Sequence, residues 1–218
     1  MKYIDSYRHK GLRKKLVEIV RNKGIKDERI LQAIGNIPRH YFLDPEFADW
    51  AYKDVAFPID AGQTISQPYT VAFQTELLEV KPKDKILEIG TGSGYQAAVL
   101  SFLGAKVYTI ERQERLFFKT TGFLEEIGFG AIRTFLGDGY KGLPRYAPFD
   151  KIIVTAGASE IPKALVEQLK TGGIMVIPFG KGEVKDMIRL KKVDDKNVTL
   201  QKLGKFSFVP FVKGVNKK

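Results

Sequence analysis

The sequence predicts an α/β fold: a doubly wound, mostly parallel sheet that ends in an antiparallel C-terminal hairpin, with helices at its N-terminal side. Three observations carry this prediction. Short apolar runs such as "KILEIG" (85–90), "KVYTIE" (106–111) and "FDKIIVTAG" alternate with stretches of helical periodicity, as strands do when crossover helices join them. Glycine clusters follow those runs, where the chain must turn. The closing segments "DMIRLKKV", "NVTLQKL" and "KFSFVPF" read as strands with no helix between them, which implies an antiparallel edge.

In chain order, Leu12, Leu16, Ile19 and Val20 recur at helical spacing, and Lys23-Gly24 supplies a stop. Asp27 caps a second helix that carries Ile30, Leu31 and Ile34 and ends at Gly35. "NIPRHYFLDPEF" breaks regularity at two prolines, and residues 44–68 read as mostly irregular, a length that usually means function. A helix follows from Val71 in "VAFQTELLEV". Next come the strand "KILEIG", the turn and helix "TGSGYQAAVLSFLG", the strand "KVYTIE" and a helix to Gly128. "AIRTFLGDG" gives the third strand and "FDKIIVTAG" the fourth. The helix "PKALVEQLK" and the strand "GGIMVIPFG" complete the alternation. One domain over 1–218 is expected, with 1–70 as a helical extension and active-site loop and 71–218 as the core.

Composition narrows the chemistry. The 218 residues include no cysteine, which removes disulfides, thiolate metal sites and thiol nucleophiles. His9 and His40 are the only histidines, too few for a histidine-rich metal site, and no metal is expected. No apolar run approaches the ~20 residues that span a bilayer, so the expectation is a cytoplasmic chain with no membrane partner. The net charge of +11 comes from lysines spread along the whole sequence, without a basic stripe interleaved with aromatics. Nucleic acid is therefore not the expected partner, and a monomer is the expected state.

In a sheet of this kind ligands bind beyond the carboxyl ends of the strands, near the switch in strand order. That rule gathers Gly90–Gly94, Glu111, Gly137–Gly139 and Thr155–Gly157 on one rim. The loop "EIGTGSGY" spaces its glycines as Gly90, Gly92 and Gly94, with Thr91 and Ser93 between them. Tyr95 stands where the dinucleotide fingerprint needs a third glycine. Glu111 lies 21 residues after Gly90, where an acid accepts hydrogen bonds from ribose hydroxyls. Asp138, in "GDG", can accept from an adenine amino group. A carboxylate at Glu88 suits a cationic ligand better than a pyrophosphate. Ribose, adenine, ammonium and sulfonium without phosphate describe S-adenosylmethionine.

A methyl acceptor needs a lone pair, yet the rim offers no cysteine, no obvious histidine and no cluster of metal-binding acids. A carboxylate, with a pKa of about 3.5–4.5, is already ionised and needs only alignment and exclusion of water. The site therefore points to carboxyl O-methylation. "AGQTISQPYT" (61–70) adds hydroxyls and amides beside the rim. No general base stands near enough in sequence logic to make Ser66 a nucleophile. Capping the following helix is one role for Ser66, and facing the cofactor and acceptor is another; Thr64 and Gln67 serve the turn.

Through "NIPRHYF", "GQTISQPYTVA", "ILEIGTGSGYQAAVL", "YTIER", "GDGYKGLP…APFDKIIVTA", "IPKALVEQLKTGGIMVIPFG" and "FVPF", the sequence resembles the protein-L-isoaspartate O-methyltransferase family over nearly its whole length. The resemblance implies a Rossmann-like S-adenosylmethionine-dependent methyltransferase fold. It also implies methylation of the free α-carboxylate of L-isoaspartyl residues in damaged proteins and peptides, which starts their repair. By that likeness Ser66 takes the active-site serine position. Thr64, Ile65, Ser66, Gln67, Glu88, Gly90, Thr91, Gly92, Ser93, Glu111, Arg112, Gly137, Asp138 and Gly139 take cofactor positions. Phe211 and Val212 fall near the substrate, and Arg39 is a candidate substrate-side cation. Gly157-Ala158-Ser159 and Tyr69-Thr70-Val71 depart from the usual pattern. An RNA or small-molecule methyltransferase, a dehydrogenase, which Tyr95 disfavours, and an inactive cofactor-binding module are the alternatives.

Overall fold

The computed structural model describes residues 3–217. Helix α1 (Tyr7–Asn22) starts at Ser6, whose hydroxyl accepts from the His9 N–H while the His9 ring accepts from the Ser6 N–H. It stops at Lys23 and Gly24, where φ is +106°. Helix α2 (Glu28–Asn36) is capped by Asp27, as its sequence position predicts. Its end differs from expectation. Gly35 lies inside the helix, and the pre-proline residue Ile37, extended at ψ 119°, closes it. The glycine is there for contact with α1. A Cβ on it would stand 3.4 Å from Val17 Cγ2, and its carbonyl accepts from Arg13 Nε at 2.7 Å.

Residues 44–68 contain more structure than their sequence suggests. A 3-10 segment covers Pro45–Tyr52, and strand β1 (Phe57–Pro58) pairs antiparallel with β2 (Thr64–Ile65). Helix α3 (Pro68–Leu78) begins three residues earlier than read, with Pro68 in its first turn. Strand β3 (Lys85–Ile89), helix α4 (Tyr95–Phe102), strand β4 (Lys106–Glu111), helix α5 (Glu114–Glu126) and strand β5 (Arg133–Leu136) follow. Then come β6 (Phe149–Val154), the short α6 (Lys163–Glu167), β7 (Leu169–Phe179), β8 (Val184–Lys192) and β9 (Val198–Ser207).

The seven-stranded sheet has the order β5-β4-β3-β6-β7-β8-β9; the run from β5 to β7 is parallel, and β8 and β9 are antiparallel. The chain leaves β3 towards β4 and β5, then returns to its other side with β6, so the order reverses at β3. On one face, Ile86, Val107, Ile153 and Val176 pack with Leu16, Ile34, Val71, Ala98 and Leu124 from the first five helices. On the other, Leu87, Ile110, Ile152 and Met175 pack with Leu165 of α6 and with Leu169. "NVTLQKL" and "KFS" form one strand bent through Gly204 (φ +98°) rather than two. "FVPF" is not a strand. Residues 208–217 leave the sheet and cross its rim, bridging Gly157 at Pro210 and Gln113 at Asn216.

Candidate active site

β3 delivers the chain to a turn that only glycine makes easily. Gly90, Gly92 and Gly94 sit at φ +97°, +53° and +86°, and Gly94 opens α4. Three hydroxyl hydrogen bonds lock this turn. Thr155 donates to the Gly90 carbonyl at 2.8 Å, Thr120 to the Gly92 carbonyl at 2.7 Å, and Thr91 pairs with Thr109 at 2.7 Å. A Cβ on Gly90 would lie 2.5 Å from Thr155 Oγ1. Gly90→Ala is therefore expected to cost at least ~1–2 kcal/mol from its backbone conformation alone, with Thr155 displaced in addition. Urea unfolding checks the stability. Because the shifted turn is part of the cavity wall, calorimetry should show weakened cofactor binding as well.

The cavity over this turn is walled by Gln63–Ser66, Ile89–Ser93, Tyr95 and Gln96, Ile110–Arg112, Gly139, Thr155 and Ala156, and Val209–Val212. Glu111 ends β4 almost fully buried. Its Oε2 accepts from the Gly92 N–H at 2.9 Å and its Oε1 from the Gln113 N–H at 2.8 Å. Each oxygen keeps a further lone pair for a ligand hydroxyl. Gly139 closes the far end, where a Cβ would stand 2.4 Å from Ile89 Cγ2 and 2.9 Å from the Phe211 ring. Phe211 itself stacks on Tyr140 at 4.1 Å between centroids. Arg112 fastens this wall by donating from Nε to the Gly214 carbonyl at 3.1 Å.

Not every residue singled out from the sequence reaches the cavity wall. Gln67 turns away, donating to the backbone and side-chain oxygens of Asp54, both at 3.0 Å. Gly137 ties the ends of β4 and β5 through its N–H to the Glu111 carbonyl at 2.9 Å. Asp138 makes a turn, its Oδ1 accepting from the Tyr140 N–H at 2.9 Å. Glu88 lies beneath the glycine turn, fully buried on the helix-covered face of the sheet that it shares with Ile86. Thr109 donates to one of its oxygens at 2.5 Å, while the other has no partner among the described residues. Burial pushes its carboxyl up to about 8.

Ser66 lines the cavity half-buried and is not a helix cap. The residue at the cap position of α3 is Gln67, whose side chain makes no capping bond. The Tyr69 N–H is instead taken by Asp54 Oδ1 at 2.8 Å, and Lys23 Nζ reaches Asp54 Oδ2 at 2.6 Å. Asp54 thus anchors the loop that presents Ser66, a role carried by a tertiary contact that no local pattern announces. Arg39 is not on the rim either. It is 1% exposed, its guanidinium lies 4.9 Å from the Tyr95 ring centroid, and it has no hydrogen-bond partner among the described residues. Burial lowers its pKa to about 10, so it remains a cation at neutral pH, behind the wall that Tyr95 forms.

A family model for Protein-L-isoaspartate(D-aspartate) O-methyltransferase (PCMT) matches residues 11–216. The chain belongs to this family. It is 57% identical over 212 residues to the protein-L-isoaspartate O-methyltransferase of Christiangramia forsetii, covering 97% of this chain and 99% of that one. The protein of the same name from Flavobacterium psychrophilum is 58% identical over 212 residues, with the same coverage. A solved protein-L-isoaspartate O-methyltransferase superposes with a TM-score of 0.81 at 29% identity, covering 91% of this chain and 65% of that one. A putative Plasmodium falciparum member, solved in complex with S-adenosyl-L-homocysteine, has a TM-score of 0.80 at 24% identity, covering 92% of this chain and 98% of that one. The protein-L-isoaspartate O-methyltransferase fold is therefore the fold of this chain, and the Rossmann-like expectation holds.

Within this family member, the carboxylate and imidazoles that come closest to a metal-ligand set lie in the N-terminal region. Asp5, His9 and His40 bring ligand atoms within 4.8 Å of one another. They are already engaged: Arg13 takes both Asp5 oxygens at 2.9 and 2.8 Å, and His40 meets the Tyr52 hydroxyl at 2.5 Å and the Ile4 carbonyl at 3.1 Å. No helix among the described residues is long and apolar enough to cross a membrane.

Proposed function

We propose that this chain transfers a methyl group from S-adenosylmethionine to the free α-carboxylate of L-isoaspartyl residues in damaged proteins and peptides, starting their repair. The observation that carries the reading is a cavity wall with no uncommitted general base among the described residues. Its only acid is Glu111, whose oxygens are held by backbone N–H groups. Its phenol, Tyr95, is pushed up to about 12 by burial. An acceptor that must lose a proton finds no base here, whereas a carboxylate arrives ionised.

The lining fits the proposed cofactor. Glu111 would accept from the two ribose hydroxyls, and Ile89 and Phe211, packed against the Gly139 backbone where no side chain fits, would give the adenine ring an apolar wall. When bound, S-adenosylmethionine supplies an electrophilic methyl on a sulfonium. The Ser66 hydroxyl would donate a hydrogen bond to one oxygen of the incoming carboxylate and so orient it. Val209–Val212, Ile65 and Val71 exclude water from that approach. A monomer working in the cytoplasm belongs to the same reading.

The test is methyl transfer from labelled cofactor to an isoaspartyl peptide beside its aspartyl twin, with base-labile methanol marking an ester. Equal labelling of both, or of neither, refutes the reading. Ser66→Ala is expected to lower kcat about 10- to 100-fold, the worth of one hydrogen bond to a charged group. The Kd for S-adenosyl-L-homocysteine should move less than about threefold, because Ser66 acts on the acceptor. A loss of Tm with near-normal turnover would return Ser66 to a purely structural role.

A further inference from the structure

Three aromatic rings gather beside the β1–β2 hairpin. Phe47 and Trp50, from the 3-10 segment, are 40% and 43% exposed, and their centroids lie 4.9 and 5.7 Å from Phe57. Lys53 Nζ sits 3.7 Å from the Trp50 ring, and Val55 adds a side chain 41% exposed. Apolar side chains exposed singly are ordinary, but a contiguous group of this kind marks an interaction surface. Its position narrows the partner. Phe57 pairs across the hairpin with Ile65, and the residues on either side of Ile65, Thr64 and Ser66, line the cavity with it. Phe57 stands one strand spacing, about 4.8 Å, from the strand that leads into Ser66, with Phe47 and Trp50 one ring further out, and an extended peptide advances about 3.3 Å per residue.

We propose that this ledge is a docking subsite for an apolar side chain of the substrate polypeptide, two or three residues from the isoaspartyl group held at Ser66. The inference rests on the reading of the site given above. Three rings and one cation provide area for a single aliphatic or aromatic side chain, of the kind an unfolded segment exposes. Binding there adds affinity without touching the reacting atoms, so it acts on KM and leaves the chemical step alone.

Trp50 is the only tryptophan in the chain, so it reports directly on its own contact. The full chain is assayed with two isoaspartyl peptides that differ only in carrying leucine or serine two and three residues from the isoaspartyl group. The leucine peptide is expected to show a KM about tenfold lower at equal kcat. In saturating S-adenosyl-L-homocysteine, tryptophan emission should shift to the blue with the leucine peptide and stay in place with the serine peptide. W50A should bring the ratio of the two KM values to about 1. Equal KM values in the wild type, or a ratio that survives W50A, overturn the proposal. So does a blue shift that anionic phospholipid vesicles produce and the leucine peptide does not. If W50A fails to fold, the emission titration on the wild type decides alone. Methylation of neither peptide would instead sink the reading of the site, an outcome distinct from equal KM values.

Discussion

Glu111→Ala is expected to raise the Kd for S-adenosyl-L-homocysteine about a hundredfold or more. Two ribose hydroxyls donating to one carboxylate are worth roughly 1.5–3 kcal/mol each, because the acceptor is charged and almost fully buried. Alanine also strands the Gly92 and Gln113 N–H groups that the carboxylate now satisfies, and so loosens the glycine turn that forms the cavity floor. Calorimetric titration well below the unfolding transition measures the loss, and Glu111→Gln, which keeps an acceptor of the same shape, should lie between the two. A Kd for the alanine variant within threefold of wild type would remove Glu111 from the ribose.

Glu88→Gln is expected to change how stability depends on pH. The folded carboxyl titrates near 8, against 4.5 for an unhindered glutamate, and burial is the main cause. A folded value above the unfolded one means that the protonated form stabilises the fold. Its contribution is complete below pH ~4.5 and declines as the pH rises through 8, by at most ~1.4 kcal/mol per unit. Glutamine imitates the protonated carboxyl and has no such decline. Urea midpoints of the two proteins should therefore agree at pH ~4, with the variant ahead by several kcal/mol near pH 8. Taking the difference between the two proteins cancels the other titrating groups. Parallel curves across that range would mean that Glu88 is ionised in the folded protein. Weaker cofactor binding in the variant would show that its charge reaches the ligand from below the turn.

Much of this arrangement is readable in the sequence, and what is not readable has physical causes. "KILEI" and "KVYTIE" are short, apolar and bounded by glycine or charge, so β3 and β4 follow with their ends in place, and Gly90 and Glu111 with them. Strand alternation also bears on Glu88, because Leu87 and Ile89 face one layer of the core and Glu88 must face the other. A parallel strand covered on both faces leaves such a side chain under the rim rather than on it. The cap of α3 was beyond reach, since Asp54 supplies it across the fold from a loop with no periodicity of its own. Gly35 reads as a helix stop because glycine often is one; here the close approach of α1 takes precedence. "KFSFVPF" has strand composition throughout, but the sheet ends at Ser207, and backbone bonds to Gly157 and Arg112 claim the rest.

That last segment bears on the order of events at the ribosome. Chains emerge and fold from the N-terminal side, and every strand of the sheet precedes Val209. The nascent chain can therefore assemble its layers while one side of the cleft still stands open. The last wall of the cavity is in place only once Val209–Val212 line it and Asn216 pairs with Gln113. A product cut short by translation or proteolysis at Ser207 would lack the Val209–Val212 wall of the cavity.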